Sequence, residues 1–151
     1  MTRLHHMGIT VSDTDAAVRF YRAVADGEIV GPLVKSGPAV DAATGHPGAE
    51  IWLTFVGFGD GETVLELAEY RGAGGEPLSP DSNRAGSAHP AIVVPDVAGA
   101  LARLAELGYA PLSEPKVATE GPMEGYRYVY VLGPDEVRVE LLEEPHGRAS
   151  A

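Results

Sequence analysis

Two stretches, LHHMGITVSDTDAAVRFYRAV at residues 4–24 and SAHPAIVVPDVAGALARL at residues 87–104, decide how this chain folds. In the first, Leu4 to Val11 reads as a strand that runs into Ser12-Asp13, residues suited to cap a helix N-terminus. From Asp13 to Ala25, the residues Ala17, Phe20, Tyr21 and Val24 recur at helical spacing, and Gly27 stands where a helix stop is expected. The second stretch repeats this order. His89 to Val94 is strand-like, Pro95-Asp96 opens a helix carrying Val97, Leu101, Leu104 and Leu107, and Gly108 ends it. His6 precedes Asp13 by seven residues, and His89 precedes Asp96 by seven.

Each strand–helix unit is followed by three further strand candidates. In the first half these are Glu28 to Val34, Glu50 to Phe58 and Thr63 to Ala68, the last two joined through Gly59-Asp60-Gly61, a hairpin signal. Residues 35–48, with Gly37-Pro38, Gly45 and Pro47-Gly48, read as a loop. In the second half the candidates are Tyr109 to Val117, Tyr126 to Leu132 and Val137 to Leu142, with Gly133-Pro134-Asp135-Glu136 as the final turn. Both halves end in a strand that sets a glutamate among apolar residues: Val64-Leu65-Glu66-Leu67 and Arg138-Val139-Glu140-Leu141. The histidine-to-glutamate interval is 60 residues in one half and 51 in the other, and the 35–48 loop absorbs the difference. A duplicated βαβββ unit, hence an α+β fold, accounts for this order. The expected organisation is a single domain over residues 1–151. It has module 1 at 4–70, a Gly/Pro-rich linker at 71–87, module 2 at 88–145 and a tail at 146–151.

Composition narrows the partners. The 151 residues carry 11 Lys and Arg against 22 Asp and Glu, a net charge of −11, which opposes a phosphate backbone. There is no cysteine, so disulfides and thiolate metal sites are excluded. No apolar run approaches the roughly 20 residues of a membrane span, and no signal peptide opens the chain. The expectation is a soluble cytoplasmic protein, with neither nucleic acid nor membrane as partner.

Strand parity singles out four residues. His6 shares a face with Gly8 and Thr10, and His89 with Ala91 and Val93, while the branched Ile9, Val11, Ile92 and Val94 point the other way. A lone histidine at a strand start is more often a surface residue than a ligand, and a strand glutamate more often faces water. Here, however, each histidine lies beside a small residue, as a cavity requires. Glu66 shares its face with Val64 and Ala68, and a carboxylate on an apolar face is costly unless paired or bound to a cation. Glu140 shares its face with Arg138 and Leu142, which leaves an ordinary ion pair with Arg138 open. Two imidazoles and two carboxylates without sulfur suit a divalent ion such as zinc, nickel, cobalt, manganese or iron.

These same segments, with VLELAEY and VRVELLEEP, resemble the vicinal oxygen chelate superfamily, which includes glyoxalase I, methylmalonyl-CoA epimerase, extradiol dioxygenases and the bleomycin and fosfomycin resistance proteins. The resemblance covers residues 4–145. It implies paired βαβββ modules forming a cupped mixed sheet around a metal, helices on the outer face, and a homodimer. Carried over residue by residue, the metal ligands are His6, Glu66, His89 and Glu140. His5 is the rival of His6, but His6 aligns with His89 whereas His5 aligns with Ala88. His46 and His146 have no repeat partner and read as solvent-exposed.

The ligand set is similar to those of glyoxalase I and methylmalonyl-CoA epimerase, which implies a metal-dependent lyase or isomerase. In that chemistry a proton is removed next to a carbonyl while a metal holds the developing enediolate or enolate oxygen, and Glu140 or Glu66 is the base. Glu50, at the start of the third strand, is a further acid whose face the unknown hairpin register leaves open, and it reads more simply as an exposed strand-end residue. Thr10 and Tyr70 stand where bacterial glyoxalase I usually has arginine and asparagine. With only Lys35 and Lys116 as lysines, this points to a small substrate rather than a glutathione or CoA adduct. Phe55, Tyr128, Tyr130 and Leu142 are the candidate substrate-binding residues. Tyr126 is a further aromatic candidate, and Trp52 is better read as packing against a helix. Two alternatives stand: a ligand-sequestering protein of the drug-resistance type, and an oxygenase. The oxygenase uses two histidines and one carboxylate, and a fourth ligand at Glu66 would fill its open position.

Overall fold

The computed structural model describes residues 2–59, 61 and 63–145. Asp60 of the expected hairpin turn, and the tail with His146, lie outside the described residues. The chain divides into two compact units, Met1–Leu78 and Ser79–Ala151, and each contains one four-stranded mixed sheet. This is the α+β arrangement of two βαβββ modules that the repeat predicts.

In the first unit the order is β1 (His6–Thr10), α1 (Thr14–Arg22), β2 (Ile29–Lys35), α2 (Pro38–Thr44), β3 (Glu50–Gly57) and β4 (Val64–Arg71). Its sheet runs β1-β4-β3-β2, with β1 parallel to β4 and the other pairs antiparallel. The Asp13 carboxylate caps α1 by accepting the Ala16 N–H at 2.9 Å. The helix's apolar stripe (Ala17, Phe20 and Tyr21, all at most 1% exposed) belongs to a core with Ile9, Leu65, Leu67 and Val56 from one face of the sheet.

The second unit repeats the plan with β5 (Ala91–Val93), α3 (Val97–Glu106), β6 (Lys116–Val117), β7 (Arg127–Leu132) and β8 (Arg138–Glu143), in sheet order β5-β8-β7-β6. Asp96 caps α3, accepting from the N–H groups of Ala98 and Gly99. Val97, Ala100 and Leu104 are buried with Val129, Val131, Val139 and Leu141. No helix of the described residues is long and apolar enough to cross a membrane.

Three expectations change. The 35–48 segment is not all loop, because Pro38–Thr44 forms α2, begun by a proline in its first turn and ended by Gly45 at φ 73°. Tyr109–Val117 is strand only at Lys116–Val117, with a single bridge from Pro111 to Val131. Pro111 and Pro115 lack the N–H that a full ladder needs. Gly27 is not the cap of α1, which ends at Ala23. A Cβ on Gly27 would instead meet the backbone carbonyl carbon of Gly57 at 2.3 Å, so its hydrogen lets two backbone segments touch.

Candidate active site

The register of the first sheet aligns Gly8 on β1, Glu66 on β4 and Phe55 on β3 across the strands. Paired residues share a face, so His6, Gly8, Glu66 and Phe55 lie opposite the side packed by α1. His6 Nε2 lies 3.9 Å from Glu66 Oε1, with the two side chains 42% and 22% exposed. The small residue at position 8 is what leaves the carboxylate reachable: a Cβ there would sit 3.8 Å from Glu66 Oε1. His5 Nδ1 is 2.9 Å from His6 Nδ1, so one imidazole donates to the other while His6 Nε2 stays turned toward Glu66.

Helix α2 gives that face a roof. A cavity of about 350 Å³ lies beneath it, with Glu66, Ala68, Tyr70, Ile51 and Leu53 from the sheet, Val40, Ala43 and Thr44 from the helix, and Lys35 from the edge strand. Val40 packs on the buried Ala49, Ile51 and Ala68, and the His46 ring meets the Tyr70 ring edge-on at 5.5 Å just beyond the helix. His46 is solvent-exposed, as expected.

The second unit builds an equivalent pair. Ala91, two residues after His89, aligns with Glu140 on β8, which aligns with Tyr130 on β7, while Tyr128 aligns with Leu142. His89 Nε2 is 3.2 Å from Glu140 Oε2, with side chains 37% and 17% exposed. Tyr130 hydrogen-bonds Glu140, and its ring meets those of His89 and Tyr128 edge-on. Burial first, then the adjacent Glu140 charge and hydrogen bond, hold the Tyr130 phenol above its ordinary pKa. Arg138 makes no ion pair with Glu140 among the described residues. Its Nη2 donates to the Pro80 carbonyl, and its guanidinium lies 5.5 Å from the Tyr130 ring.

The structure therefore supplies two His–Glu pairs, one per unit. Among the described residues, no three His, Asp or Glu side chains gather into a metal-holding group. A first-row divalent ion with bonds of about 2.1 Å separates neighbouring donors by roughly 3.0 to 3.4 Å. The 3.2 Å spacing of His89 and Glu140 meets this, and the 3.9 Å of His6 and Glu66 requires only a small side-chain rotation. In chemistry and spacing, each pair fits half of a nitrogen–oxygen metal site.

Phe55, Tyr128, Tyr130 and Leu142 all lie on the glutamate-bearing side of their sheets. Glu50 and Trp52 lie on the opposite side by parity. The Trp52 indole N–H donates to Glu50 at 2.6 Å, and the Arg71 guanidinium stacks 3.5 Å from its ring.

Two carboxylates escaped the sequence reading, Glu69 and Glu143, each three residues after a site glutamate. Glu69 accepts from the Thr14 N–H at 3.1 Å and hydroxyl at 2.7 Å, and Glu143 accepts from the Val97 N–H at 2.8 Å. Each ties the first turn of its helix to the strand carrying the site. Three-residue spacing crosses the strand to its other face, so the repeat itself contained this signal.

Hydrogen bonds from Arg71 and then Thr14 hold the Glu69 carboxyl below the usual glutamate range. A lowered native pKa gives a contribution that is complete above the unfolded value of about 4.3 and is lost as pH falls through the native one. Glu69→Gln should cost about 1–3 kcal/mol at neutral pH in urea unfolding, with the gap from wild type closing below about pH 4. A gap that stayed constant down to pH 3 would contradict the assignment.

A model of the Glyoxalase/Bleomycin resistance protein/Dioxygenase superfamily matches residues 3–141. The chain is 33% identical to a 2-epi-5-epi-valiolone epimerase from an Actinomyces species, over 95% of this chain and 80% of that protein. A glyoxalase family protein of Bacillus cereus has a similar structure, with a TM-score of 0.83 at 21% identity over 96% of this chain and 95% of the other. Glyoxalase I of Leishmania major has a TM-score of 0.63 at 24% identity over 95% and 88%.

Proposed function

Because the chain belongs to the Glyoxalase/Bleomycin resistance protein/Dioxygenase superfamily, we propose that it is a metal-dependent isomerase that moves a proton on the carbon beside a carbonyl of a small substrate. The observation that carries this reading is Glu66, a carboxylate bordering a largely apolar cavity and set beside an imidazole. The epimerase relative supports isomerisation over the other chemistries of the superfamily.

In this proposal His6, Glu66, His89 and Glu140 hold a divalent cation, with zinc, nickel, cobalt, manganese and iron as the candidates. The bound ion supplies Lewis-acid polarisation of the substrate carbonyl. Glu66, which borders the cavity, takes the proton from the adjacent carbon. Glu140, beside His89, returns a proton to that carbon, so that the configuration inverts with no net change in atoms. Phe55 beside Glu66 and Tyr128 and Leu142 near Glu140 supply the apolar contacts that orient the substrate. A homodimer in the cytoplasm is part of the same proposal, argued from the family resemblance.

The test begins with metal analysis of protein purified without chelator. About one divalent ion per chain is expected, with His6→Ala and His89→Ala each losing it. The metal-loaded protein is then incubated in deuterium oxide with 2-epi-5-epi-valiolone and a panel of α-hydroxyketones. Incorporation of deuterium beside the carbonyl supports the proposal. Metal-free protein that binds these compounds without exchange would make the chain a ligand-binding member of the superfamily.

A further inference from the structure

We propose that the α2-roofed cavity binds the remote end of the substrate and that Lys35 selects for an anionic group there, so that the substrate is a small carbonyl compound bearing a carboxylate or phosphate. The proposal rests on the isomerase reading for the role of Glu66, and it adds the substrate class. Lys35 is a cation lining the cavity, and no carboxylate of the described residues lies within 4 Å of its ammonium. Elsewhere the cavity offers mainly apolar contacts from Val40, Ala43, Ile51 and Leu53.

A net charge of −11 makes the position of each ammonium informative. The chain has two lysines, and both occupy the glutamate-bearing side of the outer strand of their sheet. Lys35 aligns with Ile51 and through it with Tyr70, and Lys116 aligns with Tyr128 and through it with Leu142. An acidic protein that handles an anion needs a local cation to offset its own field.

The sheet also sets the length of the substrate. Lys35 lies four residues along and two strands across from Glu66, roughly 13 Å by 10 Å between Cα positions. Long side chains at both ends shorten that span, and a spacer of about four methylenes between the reacting carbonyl and the anion is the length to test.

The probes are 6-oxoheptanoate, its methyl ester and 5-oxohexyl phosphate, titrated by two-dimensional NMR into wild-type protein, Lys35→Gln, Lys35→Arg and Arg19→Gln. Arg19 sits on α1, on the other side of the sheet, and its variant removes the same charge. Wild-type protein, K35R and R19Q should bind the acid about fivefold tighter than the ester, with amide shifts at Ala43 and Tyr70, and K35Q should lose that preference. The preference should shrink with added salt. Whichever of carboxylate and phosphate binds tighter identifies the anion.

Equal binding of acid and ester by wild-type protein, an acid preference retained in K35Q, shifts mapping away from α2 and β4, or no binding at all would each overturn the proposal. The titration needs neither turnover nor a bound metal, so a failed exchange assay with an intact acid preference would refute the isomerase reading alone. Robust exchange with no acid preference would refute this inference alone.

Discussion

Glu66→Gln, assayed at saturating metal, is expected to slow deuterium exchange of the epimer whose proton Glu66 removes by about 10²- to 10⁴-fold, the usual contribution of a positioned base. Glutamine keeps an oxygen donor of the same length, so metal content should fall far less than activity. The two effects separate because only the carboxylate accepts a proton. Glu140→Gln should give the converse pattern, in which that epimer still exchanges through Glu66 while epimerisation stops. If E66Q exchanged at the wild-type rate with its metal in place, the base would be Glu140 and the cavity beside Glu66 would be a binding feature alone. His89→Ala provides the contrast, since it should lose metal and activity together.

Gly27→Ala is expected to destabilise the first unit strongly. Its Cβ would fall 2.3–2.6 Å from the carbonyl carbon and oxygen of Gly57 and the nitrogen of Phe58. Those are backbone atoms at the end of β3, where the Gly57 N–H donates to the Glu28 carbonyl at 2.8 Å, so no side-chain rotation relieves the clash. A cost of about 3 kcal/mol or more is expected, a large share of the 5–15 kcal/mol that holds an ordinary domain together. Gly75→Ala, where an added Cβ meets nothing within 4 Å, is the control and should unfold at the wild-type urea concentration. Matching midpoints for both variants would mean that β2 and β3 separate at that end without penalty.

Several features were legible because they depend on local periodicity. Asp13 and Asp96 cap their helices as their spacing from His6 and His89 implied, and the alternation around Glu66 and Glu140 placed each glutamate on the face opposite the helix. Helix α2 was also signalled, by Pro38 at its start and Gly45 at its end. A seven-residue helix lacks the two or more turns that make a stripe visible, and those residues read as loop punctuation.

What the sequence by itself determined is the repeat, the four residues His6, Glu66, His89 and Glu140 and the face of its strand on which each stands, because strand parity is a property of consecutive residues. The cavity, its Lys35 and the role of Glu69 belong to the tertiary structure. Each depends on which strand neighbours which and at what register, as when Lys35 aligns through Ile51 with Tyr70, or Glu69 meets Thr14 from 55 residues away. Which strands become neighbours is settled by packing between segments far apart in the chain, and alternation within a single strand does not encode it.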